Sequence, residues 1–448
     1  MFSKEEIEEK AKFKALLTDL TLPMNKTTLS FKIWIGFLLL LLGVGAAMYV
    51  YQIINGLGVT DLRDIASWGI YIADFVFLIA VSLVGSLVTA VLKLTNIKWA
   101  TPLTRIAEII AVGAVIGALT IIVVDMGRPD RLWHIFVYGR LQSPIVWDII
   151  VVNVYLVISL LLLYLPMVPD LALLRKVMIH KSKWQQKIYE VLSLGWQGTD
   201  DQFKILERSI NVLIILIVPV ALGIHTVTSW LFATTLRPGW DSTIFGPYFV
   251  AGAFMVGSAA VIVLMYILRV NYQYKKYITD YHFDMMAKLL VLTSLLYLYF
   301  NINEYMVPFF KMKEVDSALL NDLFTGAFAP LFWTVQVVGM IIPIILLVFK
   351  PFRKPKAVFV ISAVVVIGAF LKRFLIVTPT LLHPFLPIQN YPAHYAHYTP
   401  TFPEAMIVVG SFAGVALIIT LFIKLFPILP IWEIAHEKGI SNRTIKNS

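Results

Sequence analysis

Ten runs of about 20 apolar residues punctuate this chain of 448 residues, each long enough to cross a hydrocarbon core about 30 Å thick. The solvent for most of the chain is therefore lipid. Lipid dictates helix, because backbone polar groups in hydrocarbon must pair within their own segment. The expected fold is all-α and polytopic, with spans over residues 33–53, 67–92, 105–125, 145–165, 209–233, 246–269, 285–306, 328–349, 357–378 and 404–426. An even number of spans returns the chain to its starting side, so residues 1–32 and 427–448 flank one membrane domain, 33–426, on a common face. No Gly/Ser-rich linker or internal sequence repeat divides it.

Orientation follows from charge. Of the 37 Lys and Arg residues, 27 fall on the side of the termini, nine on the other, and Lys288 just inside span seven. The positive-inside rule makes the termini cytoplasmic. Met1–Lys32 lacks the basic-then-apolar-then-small pattern of a cleaved signal. The same distribution explains the net charge of +10 as topology rather than nucleic-acid binding. In the longest loop, 166–208, Trp184, Ile188, Val191 and Leu192 recur at helical spacing among lysines, which predicts an amphipathic helix lying in the interface.

Charged residues make up only 14% of the chain, so their positions matter. Ionisable side chains inside spans are costly and mark function or a buried pair. They gather toward the face opposite the termini: Asp125 ends span three, Asp148 begins span four, and Asp74 lies about 10 Å into span two at 1.5 Å per residue. His225, with Thr228 and Ser229 at i+3 and i+4, forms a polar stripe about 12 Å below the outer end of span five. Tyr297, Asn301 and Glu304 share a face of span seven, while Lys372 and Arg373 sit near the outer end of span nine. A buried Glu304–Arg373 ion pair is the leading expectation there. The outer loops concentrate Gly, Pro, Trp and His, including Arg128, His134, Arg237–Asp241 and His383–His397.

This inventory suits oxidation of a lipid-borne quinol, which needs apolar walls, a hydrogen-bond partner for each ring oxygen, and a base with a route to water. The absence of cysteine excludes disulfides and iron–sulfur ligation by this chain, so any cluster sits on a partner. A membrane haem held by two histidines needs both on facing spans, and of eight histidines His225 alone lies clearly within one. His383, His394 and His397 fit no strong zinc pattern, and no metal site is expected.

The motifs carry a resemblance. The run D-M-G-R-P…S-P-I-V-W-D from Asp125 to Asp148, L-G-W-Q-G from Leu194, H-T-V-T-S from His225, P-G-W-D-S-T-I-F-G-P-Y-F-V-A-G-A from Pro238, and the K-R-F-L-I-V segment from Lys372 resemble, in order, elements of the NrfD/PsrC-type family. This family comprises the membrane subunits of polysulfide reductase and its relatives. The resemblance covers spans three to ten and points to the ten-helix branch that includes DsrP-like, menaquinone reductase and alternative complex III subunits.

It implies two four-helix bundles, spans two to five and six to nine, with spans one and ten peripheral. It also implies a subunit of the cytoplasmic (inner) membrane of a bacterium or archaeon that exchanges electrons with menaquinone or ubiquinone near the outer face, and an iron–sulfur, ferredoxin-like partner docked there. That partner would serve a molybdopterin catalytic subunit or a multihaem cytochrome. Carried over by position, Asp125, Asp148 and His225 are candidate catalytic groups and Arg128 and His134 candidate quinone contacts; Asp74 joins the candidate contacts by its depth in span two. Lys288 and Glu304 are candidates for a proton path. A secondary transporter and a purely structural anchor are the competing classes.

Overall fold

The structure, a computed structural model, describes residues 4–94, 98–178, 181–385 and 392–441. Among them there is helix and no strand. In chain order, α1 (Lys4–Asn25) precedes α2 (Leu29–Asn55), α3 (Ile70–Leu94) and α4 (Thr101–Asp125). The short α5 (His134–Tyr138) leads to α6 (Pro144–Tyr164), α7 (Val168–Val177), α8 (Lys183–Leu192) and α9 (Asp200–Ala233). Next come α10 (Phe245–Asn271), α11 (Asp280–Lys311), α12 (Glu314–Phe324), α13 (Ala329–Trp333) and α14 (Ile342–Val348). The chain closes with α15 (Pro355–Leu381), α16 (Phe402–Leu425) and α17 (Ile431–Glu437).

Nine helices among the described residues are long and apolar enough to cross a membrane, one of them formed by α13 and α14 together. The remaining expected span is α3, whose Ile70–Leu83 portion is apolar. Helix α9 begins at Asp200, ahead of its apolar run, because Thr199 and Gln202 form a reciprocal capping box that satisfies the first free N–H groups. The eighth span departs from regular helix: a π-helical stretch, Thr334–Ile341, joins α13 to α14 and turns Gln336 into the protein interior. Its Gly339 meets Gly368 of α15 so closely that a Cβ would lie 3.0 Å from the Gly368 Cα, an approach that only small residues allow.

Helices α3, α4, α6 and α9 pack as one bundle, and α10, α11, α13–α14 and α15 as a second. The two meet where α10 lies against α3 and α9, and α15 against α3. Helices α2 and α16 pair outside the first bundle, with Gly45 against Gly410. Burial follows this plan: 72% of the α4 span is buried, against 11% for α2.

Helices α1 and α17 lie at one end. Helix α1 buries Phe13, Leu16, Leu20 and Met24 and packs on α16 and α17. Arg105 at the start of α4 pairs with Asp170 of α7 at 2.8 Å, both fully enclosed. Asp170 also accepts from the backbone N–H groups of Ile431 and Trp432, at 3.0 Å each, which ties α17 to the bundle. The expected interfacial helix is α8, with Trp184 and Val191 exposed on one side and Tyr189 buried on the other.

Candidate functional site

Because the spans alternate in direction, the starts of α3, α6, α10 and α16 and the ends of α4, α9, α11 and α15 share the face opposite the termini. Three buried polar clusters occupy that half. The first joins α2, α3, α4 and α16. Asp74, fully buried, accepts from the Ser411 hydroxyl at 2.6 Å and leaves Oδ1 without a hydrogen-bond partner. One turn earlier, the Tyr71 hydroxyl donates to Gln52 at 2.7 Å, and Gln52 donates to the Val124 carbonyl at 3.0 Å. Asp125 follows, its buried Oδ1 also unpartnered and its charge within reach of Tyr71 and Glu404.

Glu404 is the hub of this cluster. It accepts from the Tyr398 hydroxyl at 2.6 Å and from the backbone N–H groups of Asp61 and Thr401 at 3.0 and 2.9 Å. Sequence reasoning passed over Glu404, which reads as a capping-box residue three positions after Thr401. It is that cap, and it is also completely buried. Helix α16, expected to be peripheral, thus supplies Glu404 and Ser411 to the site.

The second cluster links α6 to α9. Thr228 donates to Asp148 at 2.5 Å, and His225, one turn earlier, contacts the Ala221 carbonyl through Nδ1 at 3.0 Å. His225 Nε2 is buried and makes no well-formed hydrogen bond, with the Ile79 carbonyl of α3 beside the ring, and the charge of Arg373 from the other bundle reaches it.

The third lies in the second bundle and corrects an expectation. Glu304 pairs with Lys372 at 3.0 Å, not with Arg373. Successive residues on a helix point about 100° apart, so the two cations reach different neighbours, Lys372 reaching Glu304 and Arg373 the contact between Gly252 and Tyr297. Lys372 also donates to the Tyr305 hydroxyl. Arg373 instead lies over the Phe249 ring at 4.8 Å and keeps Nη1 buried and unpartnered. Nearby, Tyr248 donates to Asn301 at 3.1 Å and Asn301 to Gln336 at 2.7 Å.

The other expected residues separate. Arg128 is exposed and pairs with Asp130 at 2.9 Å; Gly127, at φ +64°, makes the turn that carries it out of α4. His134 packs edge-on against Trp133 in α5. The structure does not bring Lys288 and Glu304 together. Lys288 is half-exposed and pairs with Asp284 at 2.6 Å, sixteen residues and about 24 Å along α11 from Glu304. His383 contacts the Pro379 carbonyl at 2.8 Å, and the side chain of His394 lies outside the described residues.

Comparison with known proteins adds the context that geometry lacks. Residues 58–384 match the family described as "Polysulphide reductase, NrfD". The chain is 30% identical to a putative dimethyl sulfoxide reductase membrane subunit of Halobacterium salinarum, over 52% of this chain and 50% of that protein. It thus spans about half the length of that relative. It is 23% identical to a selenate reductase subunit of Mesobacillus selenatarsenatis, over 88% of this chain and 93% of the relative. It is 21% identical to the integral membrane subunit of menaquinone reductase from Nitratidesulfovibrio vulgaris, over 89% and 92%.

Proposed function

From the fact that this chain belongs to the NrfD polysulphide reductase family, we propose that it is the quinone-interacting membrane subunit of a respiratory oxidoreductase complex. The observation that carries this reading is a set of orphaned atoms. Asp74 Oδ1 and Asp125 Oδ1 are buried in one bundle with no hydrogen-bond partner, His225 Nε2 has only the Ile79 carbonyl near it, and each lies toward the face opposite the termini. Leaving a buried polar atom unmade costs about 1–3 kcal/mol, so such atoms suit a ligand that donates or accepts there. A related protein is named a menaquinone reductase subunit, which supports a quinone as that ligand. When bound, a quinol supplies two electrons and two protons.

This chain's residues would hold and move the protons. A carboxylate such as Asp125 accepts an O–H, and Glu404, within reach of its charge, is joined through Tyr398 and the Asp61 N–H to the loop at Asp61 and Thr399, whose N–H donates to Asp61 at 2.8 Å. Asp148, held by Thr228, stands beside His225 as a second acceptor pair. Arg128 and His134, set in the outer loop, belong to the rim of this site in the proposal. Glu304 with Lys372 is a separate proton-active pair in the second bundle.

The charge distribution supports cytoplasmic termini, which puts this face outside. There Trp133, Phe136, Val137, Tyr138 and Leu141 form an exposed apolar patch fitted to a docked iron–sulfur subunit, with a molybdopterin subunit or multihaem cytochrome beyond it. Asp125→Asn and His225→Gln variants in the purified complex test the assignment: quinol-dependent reduction is expected to fall by tenfold or more with subunit stoichiometry unchanged. Wild-type rates in both would leave a structural anchor, and solute flux by this chain alone in liposomes would favour a transporter.

A further inference from the structure

The end of the molecule that carries the termini holds a feature unrelated to the quinone site. A cavity of about 740 Å³ opens between α1 and the end of α7, a volume in the roughly 300–1,000 Å³ range of small-molecule sites. Its floor is apolar, formed by the buried Phe13, Leu17 and Met178, and its rim carries Lys10, Lys14 and Lys181. Among the described residues, no carboxylate lines it. Lys181 donates to the Met24 carbonyl at 2.7 Å, and burial lowers its pKa, so a facing anion would stabilise its charged form.

The cavity sits at the membrane boundary. Lys424, in the last turn of α16, donates to the Pro23 and Lys26 carbonyls at the end of α1. Helix α8, which begins two residues beyond Lys181, presents Trp184 and Val191 outward as an interfacial helix does. Three lysines over an apolar floor at headgroup depth complement one chemistry, a phosphate joined to hydrocarbon.

We infer that this cavity binds an anionic phospholipid from the leaflet on the side of the termini, its phosphate on Lys10, Lys14 and Lys181 and its chains over Phe13, Leu17 and Met178. The lipid would clamp α1 to α7. Basic residues at a membrane surface each strengthen anionic-lipid binding several-fold. The full chain, purified after extensive detergent washing from membranes of mixed phosphatidylglycerol and phosphatidylcholine, is expected to retain phosphatidylglycerol selectively by native mass spectrometry.

A Lys10→Gln/Lys14→Gln/Lys181→Gln variant is expected to lose that retention by roughly a hundredfold, and the corresponding triple Arg variant to keep it. Equal retention of the two lipids by the wild type, or wild-type retention by the Gln variant, would overturn the proposal. Displacement of the lipid by millimolar glycerol phosphate would also overturn it, in favour of a free-phosphate site. Should the triple Gln variant fail to fold, Lys14→Glu alone decides: Lys14 is exposed, and retention undiminished by that reversal would sink the idea.

Discussion

The Thr228 hydroxyl of α9 donates to the Asp148 carboxylate of α6 across 2.5 Å, joining two helices of the first bundle at a point where both side chains are buried. One turn earlier on α9, His225 keeps Nε2 without a well-formed hydrogen bond. The hydrogen bond fixes the carboxylate, and the turn of helix sets its distance from the imidazole.

Removing the charge while keeping the shape tests that arrangement. Asp148→Asn is expected to lower quinol-dependent turnover at least tenfold. Thr228→Val removes one hydrogen bond to a charged group, worth about 1.5–3 kcal/mol, and is expected to lower thermal stability while leaving part of the turnover. Steady-state kinetics and thermal denaturation of the two variants in the purified complex separate the effects.

The Glu304–Lys372 pair is enclosed, so breaking it strands a charge. Lys372→Met or Glu304→Gln alone is expected to destabilise the chain by about 3 kcal/mol or more. The double variant is expected to recover much of that loss, because neither charge is then left without its partner. A double-mutant cycle on thermal stability in detergent checks this, and additive losses would show that the pair is not coupled.

Close packing of α2 on α16 rests on paired glycines. A Cβ on Gly45 would lie 2.9 Å from the Gly410 Cα and 3.0 Å from the Met406 carbonyl, both backbone atoms that cannot swing away. Gly45→Leu is expected to part the two helices and lower the melting temperature by several degrees, with an effect on turnover that follows from the displacement of Ser411 and Glu404. Gly43→Leu, where no atom lies within 4 Å of an added Cβ, is expected to be silent in both measurements.

Outside the spans, burial and the neighbouring Asp241 hold the Asp316 carboxyl of α12 above the usual carboxylate range. A raised folded-state pKa means that the folded form binds the proton more tightly. Packing of α12 is therefore expected to strengthen as pH falls from neutral through the folded pKa toward the unfolded value of about 3.9. Amide hydrogen exchange across Glu314–Phe324 reads this locally. Asp316→Asn is expected to flatten the pH dependence and to protect α12 at neutral pH.

Parts of this site are legible in the sequence. Asp74, Asp125, Asp148 and His225 stand out because a polar side chain in an apolar run is conspicuous, and all four lie in the half of the first bundle opposite the termini, Asp74, Asp148 and His225 buried and Asp125 with its Oδ1 enclosed. Arg128 stands out for its motif, yet it faces outward and pairs locally with Asp130. Glu404, Tyr398, Ser411 and Gln52 do not stand out. Glu404, Tyr398 and Gln52 lie at or near helix ends, where each looks like a cap or an interfacial group, Ser411 is one small hydroxyl in an apolar span, and only the contact between distant spans makes them part of a network.

By itself, the sequence determined the solvent, the helices, their number and their alternation, because hydrocarbon thickness and the need to pair backbone groups depend on composition along the chain alone. Tertiary structure decided which polar groups meet. Glu304 takes Lys372 rather than its neighbour Arg373, and Asp74 takes Ser411 from 337 positions away. Those choices rest on the rotation and sliding of packed helices against one another, which hydropathy along a single span does not encode.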